Sequence, residues 1–430
     1  MSASNYITRR GFLKGAGAAV MGLSAAARLS SPKSSYARVI GANDRISIGI
    51  IGCGQRGLGA HMPGIHAHDK AQNVEITAVC DPWSVRRDLA AAKVQDWYGR
   101  QPRKLEKAAD LIALDGVDAV TIASCDHQHT THLEAAAKAR KDVYCEKPLA
   151  MDFDKLKAAV DAVKANKVVV QAGTQLRSMA SFTGCRELHR SGALGKVSRI
   201  EQCRNATRPY WYGYLKDANE KDVNWAEFLM DRPARAFSAV HFTGWYGFRD
   251  FSDGPVTGLG SHFIDLVHYI TGATFPTSCV ADGGIFTWKD ANGFTCDDHV
   301  QATWIYPEGF LVSYSTNFGN GGGNSFKLFG QEGVMDMLNW SAPTFSDAGA
   351  VRKGKPGKES PVPPVERADH FLDWLQCLRT RKAPNASIDA GYQHAVAVLM
   401  AVRARDTGRR QVYDVEKRQI REEERAKHVQ

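Results

Sequence analysis

The chain has 430 residues, of which 43% are hydrophobic and 23% are charged, and its formal net charge is +9. This composition is typical of a globular protein of two or three domains and excludes a largely disordered chain. Lysine and arginine are spread along the sequence, which argues against a nucleic-acid-binding protein. The nine cysteines include no Cys-x-x-Cys pair, so we expect buried packing residues and no disulfide framework.

The first 37 residues differ from the rest of the chain. Arg9 and Arg10 precede a run of small apolar residues, 15–27, an arrangement typical of a twin-arginine export signal. A membrane-spanning helix is the alternative, but the run is shorter than the roughly 20 residues that it needs. We therefore predict a periplasmic or exported protein, cleaved after Ala27 or Ala37, with no membrane insertion afterwards. Cleavage after Ala37 removes five basic and no acidic residues and leaves a formal charge of +4.

A short apolar run, residues 46–51, is followed by three glycines in the spacing Gly-x-Gly-x-x-Gly. The run is short and rich in isoleucine, so it predicts a buried strand that turns into a helix. Gly52 permits the tight turn, Gly54 lets a pyrophosphate approach the backbone, and Gly57 lets the helix pack on the strand. A glycine-rich turn without a ligand is the alternative, because this motif alone gives false positives.

A second predicted strand, residues 74–80, ends at Asp81, which lies 24 residues past Gly57. The acid that binds the adenosine ribose belongs at this place in a dinucleotide-binding fold. A carboxylate there would repel a 2′-phosphate, which favours NAD over NADP. Arg86 and Arg87 weaken this preference.

Helical and strand-like patterns then alternate, with helices predicted over residues 83–97, 105–114 and 130–139 and strands over 117–123 and 142–145. This alternation predicts a parallel sheet with helices on both faces, in a domain of residues 44–165. Ligands of such sheets bind at the carboxyl ends of the strands. Three loops should therefore meet in one crevice: residues 52–57, 125–129 and 146–148.

Alternating strand patterns dominate the second half, over residues 197–203, 296–306 and 309–316. They predict an α+β domain of residues 166–430 with an open, mostly antiparallel sheet and helices on one face. Helices are expected over residues 181–191, 225–230, 262–271 and 369–379. We also expect a homo-oligomer formed through this sheet.

Lys147 stands at the end of a predicted buried strand and precedes Pro148. A lysine buried beside a positively charged nicotinamide has a lowered pKa, because of desolvation and of the like charge. Such a lysine can polarise or deprotonate an alcohol near neutral pH. A solvated lysine in a turn is the alternative.

A dense group of aromatic residues lies in the second half: Tyr210, Trp211, Tyr212, Tyr214, Trp225, Trp245, Tyr246 and Phe248, with Arg208 and Arg249 nearby. Flat aromatic faces with polar edges suit a sugar ring, although core packing or a dimer surface is the alternative. We expect Tyr212, Trp245 and Arg249 to contact a small carbohydrate substrate.

Four motifs together resemble the glucose-fructose oxidoreductase, inositol dehydrogenase and MocA-like family: Gly52-Cys-Gly54-Gln-Arg-Gly57, Asp81, Asp126-His-Gln-His129 and Glu146-Lys147-Pro148. The resemblance covers nearly the whole chain after residue 44, including residues 385–409, which resemble the family's C-terminal helix. It implies an α/β fold with an N-terminal Rossmann domain that binds NAD, followed by the α+β domain. It also implies hydride transfer between a hydroxyl-bearing carbon of a sugar, polyol or glycoside and the nicotinamide.

By this resemblance Lys147 is the catalytic lysine, and His262 matches the family's catalytic or substrate-binding histidine. The implied cofactor-binding residues are Gly52, Gly54, Gln55, Arg56, Gly57, Asp81, Asp126, His129, Glu146 and Gln175. Arg177 and Asp265 would contact the substrate. We expect no metal, because the histidines 127, 129 and 132 lack cysteine or carboxylate partners at ligand spacing.

The chain departs from the family pattern at two positions. Cys125 replaces a proline that the family usually has, which should leave that loop less rigid. Gly258 stands where many members carry a catalytic aspartate, so one partner in the proton relay is missing. Deprotonation should then depend on Lys147 with His262 and on an aromatic hydroxyl, for which the candidates are Tyr210, Tyr212 and Tyr246.

Three functions compete on these residues. The first is an NAD-dependent oxidoreductase of sugars, polyols or glycosides. The second is a glycoside hydrolase that oxidises, eliminates, hydrates and reduces with tightly held NAD, which suits export because free NAD is scarce outside the cytoplasm. The third is a non-catalytic sugar-binding protein, which Gly258 suggests and Lys147 argues against.

Overall fold

The computed structural model describes residues 45–350 and 359–423. The export signal predicted for residues 1–37 lies outside the described residues. Among the helices in these two ranges, none combines the length and the apolar character needed to cross a bilayer.

The first sheet consists, within the described residues, of six parallel strands: β1 (Ile46–Ile51), β2 (Val74–Cys80), β3 (Arg103–Leu105), β4 (Ala119–Ile122), β5 (Asp142–Cys145) and β6 (Val170–Ala172). Their order is β3-β2-β1-β4-β5-β6, which confirms the predicted Rossmann fold. The order reverses between β1 and β4, so a ligand is expected at the carboxyl ends of these two strands.

Helices connect these strands: α1 (Met62–His66), α2 (Asp69–Gln72), α3 (Ser84–Tyr98), α4 (Ala108–Ile112), α5 (His129–Lys138) and α6 (Phe153–Asn166). The chain enters α1 through a wide helical turn, Gly57–His61, and Pro63 stands in the first turn of α1. Helical residues therefore follow the glycine loop without a break as far as His66. β6 follows α6 and pairs with β5, so the parallel sheet continues past residue 165, where the domain was expected to end.

The second sheet has ten strands in the part of the chain that the structure describes: β7 (Val197–Cys203), β8 (Ser278–Gly284), β9 (His299–Ile305), β10 (Leu311–Asn317), β11 (Ser325–Gly330), β12 (Gly333–Asp336), β13 (Thr344–Ser346), β14 (Ser360–Pro361), β15 (Gln411–Asp414) and β16 (Gln419–Glu422). Their order is β14-β13-β12-β11-β7-β10-β9-β8-β15-β16. β7 and β10 run parallel and the other pairings are antiparallel. The predicted open, mostly antiparallel sheet is confirmed.

The remaining helices are α7 (Ala180–Arg190), α8 (Trp225–Leu229), α9 (Ala239–Thr243), α10 (Pro255–Gly258), α11 (Gly260–Thr271), α12 (His370–Thr380) and α13 (Ile388–Thr407). α11 and α13 cover one face of the second sheet, where Trp304 Nε1 donates to the carbonyl of Ala397 at 2.8 Å. On the other face the side chains of Val280, Ile305 and Leu311 are 40%, 42% and 37% exposed. The homo-oligomer expected through this sheet stays a prediction.

Candidate active site

The glycine loop between β1 and α1 has the close packing that its motif predicts. Gly52 has φ +89°, and a Cβ there would lie 2.5 Å from the backbone of Ala123 and Ser124. A Cβ on Gly57 would lie 2.0 Å from the carbonyl oxygen of Gly52. Gly54 differs, because no atom lies within 4 Å of the place its Cβ would take. Two glycines are thus needed for packing, and the third leaves open space.

Asp81 follows β2, and its carboxylate connects the glycine loop to the residues that come directly after β2. Its Oδ2 accepts from the backbone N–H of Cys53 at 2.7 Å, and its Oδ1 accepts from that of Trp83 at 2.8 Å. Burial raises the pKa of Asp81 to about 6, although these two hydrogen bonds oppose the shift. The carboxylate therefore orders the glycine loop as well as lining the cavity described below.

Glu146 at the end of β5 is buried and fully partnered. Its Oε1 accepts from Arg56 Nε at 2.6 Å and from His61 Nε2 at 2.9 Å, and the N–H of Lys147 donates to Oε2 at 3.3 Å. Burial alone would raise the pKa of Glu146, but the neighbouring Arg56 and His61 outweigh it and hold the pKa well below its usual value. Glu146 is therefore ionised and fixes the start of the Lys147 turn.

Lys147 is half-buried and reaches across to the second half of the chain. Its Nζ donates to the carbonyl oxygen of Gly258, at the end of α10, at 2.6 Å. Burial lowers the pKa of Lys147, while the negative charges of Asp126 and Glu146 oppose the shift. The structure thus places the predicted lysine in a desolvated setting where loss of its proton is made easier.

His262 in the first turn of α11 lines the same cavity as Lys147. Burial, with the positive charge of Lys147, lowers the pKa of His262 to about 3, so the ring is neutral near pH 7. Its Nδ1 is buried and has no hydrogen-bond partner among the described residues. A neutral imidazole can donate from one nitrogen and accept at the other, which suits a ligand hydroxyl.

Asp126 and His129 belong to the loop after β4. Asp126 Oδ2 accepts from Ser252 Oγ at 2.8 Å, and burial raises the pKa of Asp126 to about 8. His129 lies between two carbonyls, with Nδ1 2.7 Å from Pro148 O and Nε2 3.1 Å from Ser124 O. His129 therefore ties the loop after β4 to the turn that carries Lys147.

These loops surround a cavity of about 570 Å³ at the carboxyl ends of β1 and β4. The predicted residues that line it are Gly52, Gly54, Gln55, Arg56, Asp81, His129, Glu146, Lys147, Gln175, Trp245 and His262. Gly57 and Asp126 lie behind this lining. Trp245 and Tyr246 stack with ring centroids 3.7 Å apart and, with Tyr214, form an aromatic wall.

Residues 220–229, here named the covering segment, contribute Glu227 and Phe228 to the cavity lining. The N–H of Asn224 donates to Pro82 O at 2.9 Å, and Glu227 Oε1 accepts from the N–H of Ala108 at 3.1 Å. Gln128 Nε2 donates to Phe228 O at 2.9 Å. The covering segment is thus held to the loops that follow β2, β3 and β4.

Arg177 and Asp265, expected at the substrate, form a buried ion pair outside the cavity lining. Arg177 Nε donates to Asp265 Oδ2 at 2.8 Å and its Nη1 to Asn385 O at 2.7 Å. Burial would raise the pKa of Asp265, but Arg177 and His394 outweigh it and lower the pKa to about 2. The pair joins the turn at Gln175–Ser178 to α11, and its contact with a substrate stays a prediction.

Tyr212 and Arg249, also expected at the substrate, lie outside the cavity lining. The Tyr212 hydroxyl donates to Asp290 Oδ2 at 2.5 Å, and Arg249 Nη2 donates to both carboxylate oxygens of Asp406 at 2.7 and 2.9 Å. Both side chains are held by neighbouring acids. Tyr212 is not part of the aromatic wall.

Sequence patterns missed several lining residues, among them Trp83, Lys216 and Thr243. They also missed His61, which carries no motif and comes to Glu146 only because the turn Gly57–His61 points it there. Tyr214 and Tyr246 could be found as part of the aromatic group, but not singled out within it.

The residues present fit a dinucleotide. A side chain at Gly54 would project into the open cavity, which leaves the space that a pyrophosphate needs beside the backbone. Asp81 stands where the ribose is bound, and Arg56 lies on the cavity wall. Within the described residues, no group of three or more His, Cys, Asp or Glu is arranged to hold a metal ion.

Comparisons with known proteins agree with this fold. The profile of the oxidoreductase family with an NAD-binding Rossmann fold matches residues 46–174, and that of the GFO/IDH/MocA C-terminal domain matches residues 182–336. The structure of a levoglucosan dehydrogenase in complex with NADH superposes with a TM-score of 0.66 at 16% identity, covering 85% of this chain and 98% of that one. At this identity the likeness shows the fold alone.

Two curated relatives match part of the chain at higher identity. Inositol 2-dehydrogenase of Rubrobacter xylanophilus is 34% identical over 156 residues, which are 36% of this chain and 42% of that protein. A glycosyl hydrolase family 109 protein of Shewanella amazonensis is 33% identical over 175 residues, which are 37% of each. The chain therefore spans less than half the length of these two relatives. Because profiles of one family match both halves, the chain belongs to the Gfo/Idh/MocA family of NAD(P)-dependent oxidoreductases.

Proposed function

We propose that the protein oxidises or reduces a hydroxyl-bearing carbon of a small carbohydrate, polyol or glycoside with NAD. The observation that carries this proposal is the position of Lys147, a half-buried lysine on the wall of the dinucleotide cavity. Neutral His262 and the aromatic wall of Tyr214, Trp245 and Tyr246 line the same cavity. A polar pair beside flat aromatic faces matches the polar rim and apolar face of a sugar.

In this mechanism bound NAD supplies the acceptor for a hydride. Lys147, in its neutral form, takes the proton of the substrate hydroxyl on Nζ, and its lowered pKa makes that form available. His262 exchanges a hydrogen bond with the same hydroxyl and helps to orient it. Glu146, held by Arg56 and His61, keeps the Lys147 turn in place.

We propose NAD as the cofactor in preference to NADP. The carboxylate of Asp81 lines the cavity, and its negative charge opposes a 2′-phosphate. Asp81→Asn removes the charge and keeps one oxygen acceptor for the backbone of the glycine loop. Calorimetric titration of the variant should show NADP gaining on NAD by about tenfold, a change of about 1.4 kcal/mol. An unchanged ratio of the NAD and NADP affinities would mean that another group distinguishes the two cofactors.

The experiment that tests the function mixes NAD-loaded protein with aldoses, polyols and glycosides. Absorbance of the reduced nicotinamide is followed together with release of the aglycone. Lasting reduction with at least one substrate supports the dehydrogenase. Sugar binding with neither reduction nor cleavage would contradict the proposal and leave a non-catalytic binding protein.

A redox-neutral glycoside hydrolase is the second candidate. It is favoured by the similarity to the glycosyl hydrolase family 109 protein. The covering segment, which lines the cavity and is hydrogen-bonded to the loops after β2 and β3, also suits a cofactor that stays bound. In the same experiment this candidate gives cleavage with no net reduction.

We also propose export by the twin-arginine route, on the basis of Arg9 and Arg10. Changing both to lysine should retain the protein in the cytoplasm in a fractionation experiment. Unchanged export would exclude this route.

A further inference from the structure

The space beside Gly258 is occupied by a side chain from elsewhere in the chain. A Cβ built on Gly258 would lie 2.5 Å from the hydroxyl oxygen of Tyr210 and 3.5 Å from its Cζ. The turn Tyr210–Tyr214 carries this hydroxyl to the end of α10. The Tyr210 hydroxyl therefore stands where any side chain at position 258 would begin.

The same residue, Gly258, is the one that Lys147 contacts. Lys147 Nζ donates to the Gly258 carbonyl at 2.6 Å, so the amine and the Tyr210 hydroxyl flank one residue. The hydroxyl is buried and has no hydrogen-bond partner among the residues that the structure describes. Buried tyrosine hydroxyls ordinarily have a partner, so this one has the capacity to accept a hydrogen bond from a neighbouring donor.

We infer that the Tyr210 hydroxyl does for Lys147 what a carboxylate at position 258 would do: it accepts a hydrogen bond from the ammonium formed when Lys147 takes the substrate proton. The inference rests on the proposed function and deepens it. In the step concerned, the substrate O–H bond breaks and an N–H bond forms on Nζ. The carbinol C–H bond breaks with its electron pair passing to NAD, and a C=O bond forms. Tyr210 is a positioning residue in this scheme, because it acts through Lys147.

The charged and titratable groups that act on Lys147 set the sign of the test: Asp126, Glu146, Arg56, His129 and His262. Among them Asp126 and Glu146 favour the ammonium and Arg56 opposes it. A neutral hydroxyl that accepts from the ammonium also favours the charged form. Loss of the hydroxyl should therefore lower the pKa of Lys147, and a carboxylate in its place should raise it.

The first variant is Tyr210→Phe, with Tyr314→Phe as the matched control. Tyr314 is also buried and its hydroxyl also meets α10, but it donates to Pro255 O at 3.3 Å, away from Lys147. Tyr210→Phe should reduce turnover by roughly tenfold to a hundredfold, the worth of one hydrogen bond to a charged group. The control should stay within a few fold of wild type.

The second measurement needs no turnover. Labelling of Lys147 by acetic anhydride, read by mass spectrometry across pH in the cofactor-free protein, reports its ionisation. The labelling midpoint should fall by about one pH unit in Tyr210→Phe and stay fixed in the control. A structural effect that only loosens the site would not move the midpoint in this direction.

The third variant restores an acid. Gly258→Asp alone places its Cβ against the Tyr210 hydroxyl, so it should reduce turnover whichever reaction the site performs. In Tyr210→Phe with Gly258→Asp the clash is relieved, because Cζ lies at ordinary contact distance. The double variant should recover part of the turnover lost in Tyr210→Phe and raise the labelling midpoint above that of wild type.

Failure of the inference is distinct from failure of the proposed function. If Lys147→Ala abolishes turnover while Tyr210→Phe changes neither turnover nor midpoint, the inference is overturned and the function stands. If Lys147→Ala turns over normally, Lys147 is not the proton acceptor and the inference fails with it. If the NAD-loaded protein neither oxidises nor cleaves any carbohydrate, the proposed function fails. Thermal unfolding checks the geometry, because Gly258→Ala should destabilise wild type more than it destabilises Tyr210→Phe. Equal destabilisation would contradict the placement of the hydroxyl.

Discussion

The glycine loop and the surroundings of Lys147 lie in one cavity but differ in how their polar groups are satisfied. Asp81 and Glu146 use both carboxylate oxygens in hydrogen bonds within the protein. Around Lys147, three buried atoms have no such partner among the described residues: Tyr210 Oη, His262 Nδ1 and Asp126 Oδ1. Polar groups that already have hydrogen-bond partners hold the loops in place before a ligand binds. Polar groups without partners can form hydrogen bonds with a ligand. We propose that the first region holds the cofactor and that the second handles the substrate proton.

The largest expected effect comes from Lys147→Ala. It should reduce turnover by roughly 10²- to 10⁴-fold, the usual worth of a positioned acid or base. NAD affinity, measured by calorimetry, should change little, because the glycine loop and Asp81 are untouched. Lys104→Ala is the control, since Lys104 is exposed and pairs with Asp88. Turnover near the wild-type rate would remove Lys147 from the chemistry.

Asp265→Asn tests whether the buried ion pair of Arg177 and Asp265 stabilises the fold or contacts the substrate. It leaves Arg177 without its partner charge, so the free energy of unfolding should fall by about 3–5 kcal/mol. The KM of the folded protein for substrate should remain unchanged, because the pair lies outside the cavity lining. Denaturant unfolding and steady-state kinetics on the same sample measure both. A raised KM with wild-type stability would show that Asp265 contacts the substrate.

Gly57→Ala and Gly54→Ala separate packing from binding within one loop. The methyl of Gly57→Ala would meet the Gly52 carbonyl, so the variant should lose about 1–3 kcal/mol of stability. Gly54→Ala should keep its stability within about 0.5 kcal/mol, because its methyl meets no protein atom. Its NAD affinity should nevertheless fall by about tenfold or more, as calorimetry would show. Equal NAD affinity in Gly54→Ala and wild type would argue against a pyrophosphate at this backbone.

The effect of Asp126→Asn should appear in the pH dependence of stability. Because burial raises the folded-state pKa of Asp126 to about 8, the folded protein binds a proton that the unfolded chain has lost between about pH 4 and 8. This contribution is fully present below pH 4 and is lost as the pH rises through 8. The asparagine variant lacks it, so its stability relative to wild type should increase with pH, by at most about 1.4 kcal/mol per pH unit. Parallel stability curves would show that Asp126 does not titrate in this range.

The residues around the glycine loop could be predicted from the sequence, because they stand in short motifs. The glycines at positions 52, 54 and 57, Asp81 and Glu146 each follow a strand, and parallel strands bring their carboxyl ends together. Prediction succeeded less well where side chains come from distant loops. Arg177 and Asp265 are 88 residues apart, and nothing local indicates that they pair with each other. The approach of Tyr210 to Gly258 likewise depends on the turn at Tyr210–Tyr214, for which the sequence has no motif.

Transfer of deuterium to the cofactor tests the central claim most directly. A carbohydrate that the protein converts is labelled with deuterium on the reacting carbon, the NAD-loaded protein is mixed with it and quenched rapidly, and the nicotinamide is analysed by mass spectrometry. We predict deuterium on the nicotinamide of the wild-type protein and almost none on that of Lys147→Ala. The same result is expected whether the protein is a dehydrogenase or a redox-neutral hydrolase. Conversion of the labelled substrate with an unlabelled nicotinamide at every time point would contradict it.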